Sequence, residues 1–374
     1  MSVYNGADYL QEAIDSILSQ TYTGFEFVIL DDCSIDGTWD ILRKNADRDS
    51  RIVLIQNEEN LGLIRSLNKG LKAAQGEFIA RQDADDISSN SRLEKEVKIL
   101  DEQADCVLVS SNIQVVENDN KKVIEVMHRY CEPDLIAWYL LFYNRIAGHS
   151  QVMYRRDFVL SLGGYSEDHP YIEDYELWCR IARTKKKLVI LPEIFLTYRR
   201  HSQSVSAQKV QEQQVNRIQQ VKNNLQALLQ RDIPIEEAKY LMGFWKANRT
   251  TIFDPWHHRF PPASKAALVH LRLKEIKNRF LEEYQISDDN SKLAQQLDTL
   301  IGKQFLYWLR SPLTSRHSLH SKFQVSRYAL AWSPFGLPKA WLIWLLRLPV
   351  DAAISILRKL QILEGHQSRL RLET

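Results

Sequence analysis

Strand and helix signals alternate along the first 110 residues, and this alternation restricts the fold more than any other feature. Short apolar runs at 25–30, 77–80 and 106–109 are typical of buried strands. Segments with apolar residues at helical spacing, such as 7–20 and 91–102, lie between them. This order predicts a parallel, doubly wound α/β sheet, in which ligands bind beyond the carboxyl ends of the strands.

The first strand signal is unusually short, because it ends at the Asn5-Gly6 turn. A buried central strand normally contains about five or six residues. We therefore expect that the start site is placed too late and omits an upstream apolar segment. A strand that is naturally short is the alternative.

Charge divides the chain near residue 205. Residues 1–205 contain 24 Lys and Arg against 33 Asp and Glu, whereas residues 206–374 contain 25 against 14. The second part shows helical spacing in four segments, which are 208–230, 234–246, 262–284 and 291–308. We therefore predict an α/β domain over 1–205 and a mostly α-helical extension over 206–374.

Composition excludes several classes of protein. The proportions of 44% hydrophobic and 26% charged residues are typical of a globular chain, and a net charge of +2 argues against a nucleic-acid partner. The four cysteines form no C-x-x-C pair, which excludes a zinc module and disfavours a disulfide framework. No signal peptide and no apolar run of about 18 residues is evident. These features predict a cytoplasmic location.

The segment 334–363 combines tryptophans with basic residues. Trp341 and Trp344 lie beside Lys339 and Arg347, while Pro349 disfavours a full membrane span. Such a segment fits the headgroup region of an anionic membrane, which predicts a peripheral position on the inner face of the cytoplasmic membrane. A helix packed on the protein or on a second subunit is the alternative.

Asp83 and Asp85 form a D-x-D directly after the 77–80 run. Two carboxylates at a strand end offer hard oxygen ligands to a divalent cation, which could bridge the phosphate oxygens of a substrate. A solvated acidic turn is the alternative. The position at a strand end of an alternating α/β chain favours the metal site.

Asp31 and Asp32 end an earlier strand signal. A carboxylate there could accept the ring N–H of a uracil, on which Tyr4 could stack. Helix capping by Ser34 or Asp36 is the alternative, although it leaves the two adjacent carboxylates unexplained.

Two later sites remain ambiguous from the residues alone. Glu173 and Asp174 begin a helix whose apolar face includes Leu177, so they could serve as a general base or as an acidic first turn that the helix dipole favours. His201 could be a metal ligand or a surface histidine.

Seven motifs follow one another in a fixed order. They are Tyr4-Asn5-Gly6, Phe25-Glu26-Phe27-Val28-Ile29-Leu30-Asp31-Asp32, Asn60-Leu61-Gly62, Asp83-Ala84-Asp85-Asp86, Gly163-Gly164-Tyr165, Glu173-Asp174-Tyr175-Glu176-Leu177-Trp178 and Tyr198-Arg199-Arg200-His201. Together they resemble the motifs of the family 2 glycosyltransferases, over roughly residues 1–205. One departure is Cys33, where that family often has glycine.

The resemblance implies a Rossmann-like GT-A fold and transfer of a sugar from a nucleotide-diphosphate donor, with UDP favoured, to a glycan or lipid-linked acceptor. The transfer would invert the anomeric configuration. Carried over by position, the resemblance assigns donor binding to Tyr4, Asp32, Arg81 and Asp83.

The same resemblance implies a metal site for Mg²⁺ or Mn²⁺ at Asp85, with Asp83 and His201, and a general base at Asp174. A sugar-nucleotide pyrophosphorylase is a rival hypothesis, although the N-terminus has no glycine-rich loop with Arg and Lys for a triphosphate. A non-catalytic, membrane-peripheral scaffold with a decayed transferase domain is the other, although Asp32, Asp85 and Asp174 are all present.

Overall fold

The structure is a computed structural model, and it describes residues 1–117, 122–146, 148–246, 260–284, 291–310 and 319–332. The segment predicted to contact a membrane, 334–363, lies outside the described residues.

Nine strands occur in the described residues, and they form two sheets. They are β1 (Ser2–Val3), β2 (Phe27–Asp31), β3 (Ile52–Gln56), β4 (Phe78–Ala80), β5 (Ile87–Ser88), β6 (Cys106–Glu117), β7 (Val123–Met127), β8 (Met153–Arg155) and β9 (Lys187–Arg200). One sheet has the order β1-β2-β3 and is parallel. The other has the order β4-β8-β6-β9-β5, with β7 beside β6.

The prediction of a wholly parallel sheet is therefore wrong for the second sheet. There β6 and β9 pair in parallel, whereas β4, β5, β7 and β8 pair in antiparallel fashion. The sequence signal at 106–109 shows only the start of β6, which continues to Glu117. Between β7 and β9 the chain reverses direction and forms β8, which is antiparallel to β6. The hydrophobic pattern of the sequence does not indicate this reversal.

Thirteen α-helices complete the described residues. They are α1 (Ala7–Leu18), α2 (Thr38–Ala46), α3 (Leu63–Ala73), α4 (Arg92–Glu102), α5 (Pro133–Leu140), α6 (Arg156–Ser161), α7 (Glu173–Arg183), α8 (Val205–Gln208), α9 (Val210–Leu229), α10 (Ile235–Lys246), α11 (Ala266–Glu283), α12 (Lys292–Arg310) and α13 (Leu319–Trp332). The helical spacing that the sequence shows in the second half is confirmed by α9 to α12, whose bounds lie within four residues of the predicted segments.

The helices of the second half share one apolar core with α5. Trp138 of α5 is fully buried. The centroid of its ring lies 6.0 Å from the ring centroid of Trp245 in α10 and 5.3 Å from that of Phe280 in α11. Asn224 of α9 donates a hydrogen bond from Nδ2 to the carbonyl oxygen of Leu140 at 3.0 Å. The α-helical part is thus anchored on a helix of the α/β part.

Candidate active site

The turn after β4 carries Asp83, whose carboxylate is held on two sides. The Arg81 guanidinium donates to Asp83 Oδ1, and the Ser150 hydroxyl donates to Oδ2 at 2.6 Å. Burial opposes ionisation of Asp83, but the positive charge of Arg81 and the Ser150 hydroxyl outweigh it, so that the pKa of this carboxyl lies below its ordinary value. Asp83 is therefore an anion in the folded protein.

Asp85 faces His201, which follows the end of β9. The two side chains meet at 2.8 Å between Asp85 Oδ2 and His201 Nε2, and both side chains keep some contact with solvent. Arg199 holds this turn in place, because its Nε donates to the Asp85 carbonyl oxygen at 3.1 Å and its Nη2 to Glu12 Oε2 at 2.7 Å. The Tyr9 ring contacts both Arg199 and His201.

This pair of side chains fits a divalent cation in part. Among the described residues, no group of three or more His, Cys, Asp and Glu side chains is arranged to hold a metal ion. Asp85 and His201 offer one carboxylate and one imidazole, whereas Asp83 is engaged by Arg81 and Ser150. A cation at Asp85 and His201 would need further oxygen ligands, and a bound diphosphate has such oxygens.

Asp32 lies at the end of β2 with its carboxylate turned into the protein. Its Oδ1 accepts hydrogen bonds from Asn57 Nδ2 at 2.7 Å and from the Leu61 N–H at 2.9 Å, and its Oδ2 accepts the Gly62 N–H at 2.8 Å. The carboxylate thereby fixes the loop before α3. The capping alternative applies to Asp36, which accepts the N–H of Thr38 at 2.9 Å near the start of α2.

Tyr4 is half-exposed and lies in the turn that leads to α1. A Cβ atom at Gly6 would stand 3.6 Å from the Cβ of Ala84, so this turn packs against the D-x-D turn. Cys33, on the neighbouring loop, has φ 64°, in the left-handed region that favours glycine. The departure from the family pattern therefore places a side chain where glycine would be unstrained.

Asp174 lies in the first turn of α7, as the sequence predicts. Its Oδ1 accepts the Tyr175 N–H at 2.6 Å, and its Oδ2 accepts from Asn144 Nδ2 at 2.9 Å. Burial raises the pKa of Asp174, and the negative charge of Asp83 acts in the same direction. Asp174 is therefore close enough to the D-x-D turn for the charge of Asp83 to affect its pKa.

Glu173 is a buried acid beside Asp174, and the family resemblance assigned the general base to Asp174 and no role to Glu173. Burial, with a contribution from the charge of Asp174, raises the pKa of Glu173 to about 7. Ser150 and Asn144 were not selected as site residues from the sequence, since single polar residues leave no pattern.

Glu173 gives a prediction about pH and stability. A carboxyl whose pKa is raised in the folded state stabilises the protein in its protonated form, and this contribution is lost as pH rises from about 4.5 to about 7. Glu173→Gln should therefore unfold at a higher urea concentration than the parent at pH 8, with a much smaller difference at pH 4.5. An equal difference at both pH values would contradict the assignment.

The structure places Arg81, Asp83, Asp85 and His201 beyond the carboxyl ends of β4 and β9 in the second sheet. Asp174 lies within electrostatic reach of Asp83. Asp32 ends a strand of the other sheet. His149 is not at the solvent-facing edge: it is buried, its Nε2 lies 2.7 Å from the Tyr165 hydroxyl, and burial lowers its pKa to about 3. It is a neutral core residue behind Asp83.

Residues 1–160 match the model of the family described as glycosyl transferase family 2. A glucosyltransferase of Escherichia coli, WfaP, is 32% identical over 57% of this chain and 80% of its own length. The chain belongs to glycosyl transferase family 2. An uncharacterized glycosyltransferase of Haemophilus influenzae is 33% identical over 54% of this chain. The chain spans 65% of that relative's length and 64% of the length of EpsE, a putative glycosyltransferase of Bacillus subtilis.

The family resemblance seen in the motifs is thus confirmed, and with it the GT-A type of α/β fold with helices at the C-terminus. Among solved structures, TarS 1–349 of S. aureus in complex with UDP aligns over 89% of each chain at 16% identity, with a TM-score of 0.48. In the described part of the chain, no helix is both long and apolar enough to cross a membrane.

Proposed function

We propose that this family 2 glycosyltransferase moves a sugar from a nucleotide-diphosphate donor, with UDP favoured, to a hydroxyl of a glycan or lipid-linked acceptor. The observation that carries this proposal is the placement of Asp83 and Asp85 at one strand-end turn, with the half-buried Asp174 within electrostatic reach. The name of WfaP supports the proposal, since it describes transfer from UDP-Glc to a sugar on a diphosphoundecaprenol carrier. AmsE of Erwinia amylovora, 28% identical, is named for amylovoran biosynthesis.

In the proposed reaction, Asp174 accepts the proton of the acceptor hydroxyl as that oxygen attacks the anomeric carbon. Attack from the face opposite the diphosphate inverts the configuration. The hydrogen bonds from Asn144 and the Tyr175 N–H hold the Asp174 carboxylate in one orientation. A raised pKa makes Asp174 a stronger base than an ordinary aspartate, which suits proton transfer from a neutral hydroxyl.

Asp85 and His201 would hold Mg²⁺ or Mn²⁺ together with diphosphate oxygens. When bound, such an ion offsets the negative charge that develops on the leaving diphosphate. Arg81 is buried against Asp83, so its contribution is to fix that carboxylate beside the donor. Asp32 orders the loop at 57–62, and the hydrogen bond from the Gly62 N–H leaves its Oδ2 a second lone pair that could accept the ring N–H of uracil.

Loss of the Asp85 carboxylate should weaken donor binding. Asp85→Ala is expected to raise the Kd for UDP in the presence of Mn²⁺ by more than about tenfold, as measured by calorimetry. This change corresponds to a loss of more than about 1.4 kcal/mol of binding free energy. Asp40→Ala removes an exposed carboxylate of α2 and is the matched control, which should bind UDP like the parent. Equal affinity of the parent with Mn²⁺ and with EDTA would contradict the metal assignment.

Sugar-nucleotide hydrolysis without an acceptor tests the function itself. Slow release of UDP from a panel of UDP-sugars by the parent, lost in Asp85→Ala, is the expected result. A chain that binds no nucleotide and releases none would be a scaffold, and the proposal would be wrong. The tail at 334–363 as a membrane-surface segment stays a prediction.

A further inference from the structure

Gln82 lies between the end of β4 and the D-x-D turn, and its side chain is buried. Its Nε2 donates hydrogen bonds to the carbonyl oxygens of Asp83, at 3.2 Å, and of Asp86, at 2.8 Å. Asp85 lies between these two carbonyl groups in the chain. A single side-chain amide therefore ties together the two ends of the turn that carries Asp85.

The amide of Gln82 is itself held in one orientation. Its Oε1 accepts hydrogen bonds from Ser88 Oγ at 2.7 Å and from Arg92 Nη1 at 3.1 Å. Arg92 Nη1 also donates to Ser88 Oγ at 2.9 Å, so the hydroxyl hydrogen is directed to Gln82. Because a guanidinium can only donate, the amide oxygen must face Arg92 and the amide nitrogen must face the turn.

Arg92, the first residue of α4, connects this amide to the neighbouring strands. Its side chain is fully buried, and its Nη2 donates to the carbonyl oxygens of Arg81 at 2.8 Å and of Val152 at 3.1 Å. Arg81 directly follows β4, and Val152 directly precedes β8. Arg92 Nε donates to Glu96 Oε2 at 3.1 Å, so a buried acid accompanies the buried guanidinium. We refer to Gln82, Ser88, Arg92 and Glu96 as the turn-support network.

The turn-support network does more than fill space. A buried amide costs free energy that its hydrogen bonds mainly offset, so an apolar side chain would serve as well as Gln82 if packing alone mattered. The bonds of Gln82 end on the turn, and those of Arg92 end beside β4 and β8. The network thereby fixes the conformation of the turn relative to these two strands.

The position of the Asp85 carboxylate depends on this conformation, because a side chain moves with its backbone. Its Oδ2 lies 2.8 Å from His201 Nε2. Arg199 holds the carbonyl oxygen of Asp85 from the side of β9, in the middle of the turn. Gln82 holds the carbonyl groups on either side of it. The two side chains therefore restrain different parts of the same turn.

We propose that Gln82 is a positioning residue, which sets the conformation of the D-x-D turn and thereby the place of the Asp85 carboxylate in the donor site. Gln82 would act through the backbone of the turn. Metal ligands need such supporting contacts, because they must be held within about 0.5 Å of the productive geometry. The consequence for donor binding rests on the proposed function, whereas the consequence for the turn does not.

Gln82→Met is the test variant. Methionine has nearly the size and flexibility of glutamine, so it should keep the packing of the site. It cannot donate to the carbonyl oxygens of Asp83 and Asp86, which lose this partner. Arg92 keeps its bonds to Ser88 and to the backbone.

Gln20→Met is the matched control. Gln20 is also a buried glutamine, and its Nε2 donates to the carbonyl oxygens of Ser16 at 2.9 Å and of Ser89 at 2.7 Å. Its Oε1 accepts the Leu93 N–H at 3.0 Å. The control loses the same kinds of hydrogen bond, but none of them ends on residues 83–86. Loss of stability alone would therefore affect both variants alike.

Hydrogen exchange reports on the turn without any ligand. The Asp83 N–H donates to Ser150 Oγ at 3.0 Å, and the Arg199 N–H donates to Asp86 Oδ1 at 3.1 Å. At these two amides, Gln82→Met should speed exchange by at least about tenfold relative to Gln20→Met, because two hydrogen bonds to the turn are lost. Equal exchange at both amides in the two variants would overturn the proposal.

Ser88→Ala keeps the test decisive if Gln82→Met does not fold. It removes the hydroxyl that donates to Gln82 Oε1 and leaves the amide nitrogen in place. With only Arg92 to orient the amide, exchange at the Asp83 and Arg199 amides should be faster than in the parent by about threefold or more. Exchange equal to that of the parent would contradict the proposed support of the turn.

Calorimetry with UDP, in Mn²⁺ and in EDTA, reports on the donor site. The parent should bind more tightly with Mn²⁺, and Gln82→Met should reduce this Mn²⁺-dependent gain in affinity by at least about fivefold. Gln20→Met should keep the gain, because a general loss of stability weakens both Kd values alike. An unchanged gain in Gln82→Met, or an equal reduction in Gln20→Met, would overturn the role of Gln82 in the donor site.

The two measurements separate this proposal from the proposed function. Faster exchange in Gln82→Met together with a reduced Mn²⁺-dependent gain supports both. Faster exchange in Gln82→Met with a parent that binds no UDP supports the role of Gln82 in the turn and contradicts the donor site.

Discussion

Asp174→Asn is expected to lower turnover by about 10²- to 10⁴-fold, the usual range for loss of a general base. The amide has the same shape as the carboxylate, and it can still accept the Tyr175 N–H bond, so folding and UDP affinity should be retained. The measurement is sugar transfer at saturating donor, accompanied by calorimetry with UDP. Transfer at near the parent rate would show that another group is the base.

Glu173→Gln is the matched control for this variant. Glu173 adjoins Asp174 in the first turn of α7 and is buried, whereas Asp174 is half-buried. If Asp174 is the base, Glu173→Gln should keep turnover within about tenfold of the parent, well short of the loss expected for a base. If instead Glu173→Gln loses activity and Asp174→Asn keeps it, the two roles are exchanged.

The pH profile offers a second check on Asp174. A base must be ionised, so kcat/KM should fall as pH decreases through the pKa of Asp174. Because burial raises this pKa, the acidic limb should lie above the ordinary aspartate value of 3.8. Asp174→Asn should lack this limb.

Trp138→Ala should destabilise the protein by about 3–5 kcal/mol, the range for removing a buried tryptophan. Its ring contacts Phe142 as well as Trp245 and Phe280, so the cavity would open between α5 and the helices of the second half. Urea denaturation followed by circular dichroism is the measurement.

Tyr307→Ala is the control for the tryptophan variant, since Tyr307 is an exposed aromatic residue of α12. It should change the free energy of unfolding by less than about 1 kcal/mol. A small effect of Trp138→Ala as well would mean that the helices do not depend on α5.

The features that the sequence predicts well are those with a local signature. The helical spacing of α9 to α12 and the start of α7 at Glu173 are such features, and so are the carboxylates within a few residues of the ends of β2 and β4. Each of these depends on residues close together in the chain, where periodicity and residue type are sufficient.

The features that it misses depend on residues far apart in the chain. Asp83 is held by Ser150, 67 positions away, and Asp85 is fixed by Arg199 and, through it, by Glu12. The antiparallel pairing of β4 with β8 is likewise set by where the chain returns, and no local pattern records it. The engagement of Asp83 by Arg81 also alters the expected metal site, because the D-x-D does not present two free carboxylates.

The position of α5 restricts how enzymes of this architecture can be recombined. Its tryptophan belongs to the core of the second half, and the carbonyl oxygen of Leu140 accepts a hydrogen bond from Asn224 of α9, although both residues precede Asp174 in the chain. A chimera that exchanges the chain from residue 206 onward would bring in helices whose side chains pack against a different α5. Exchange of the helical second half between such enzymes should therefore succeed only when the segment 131–143 is moved with it.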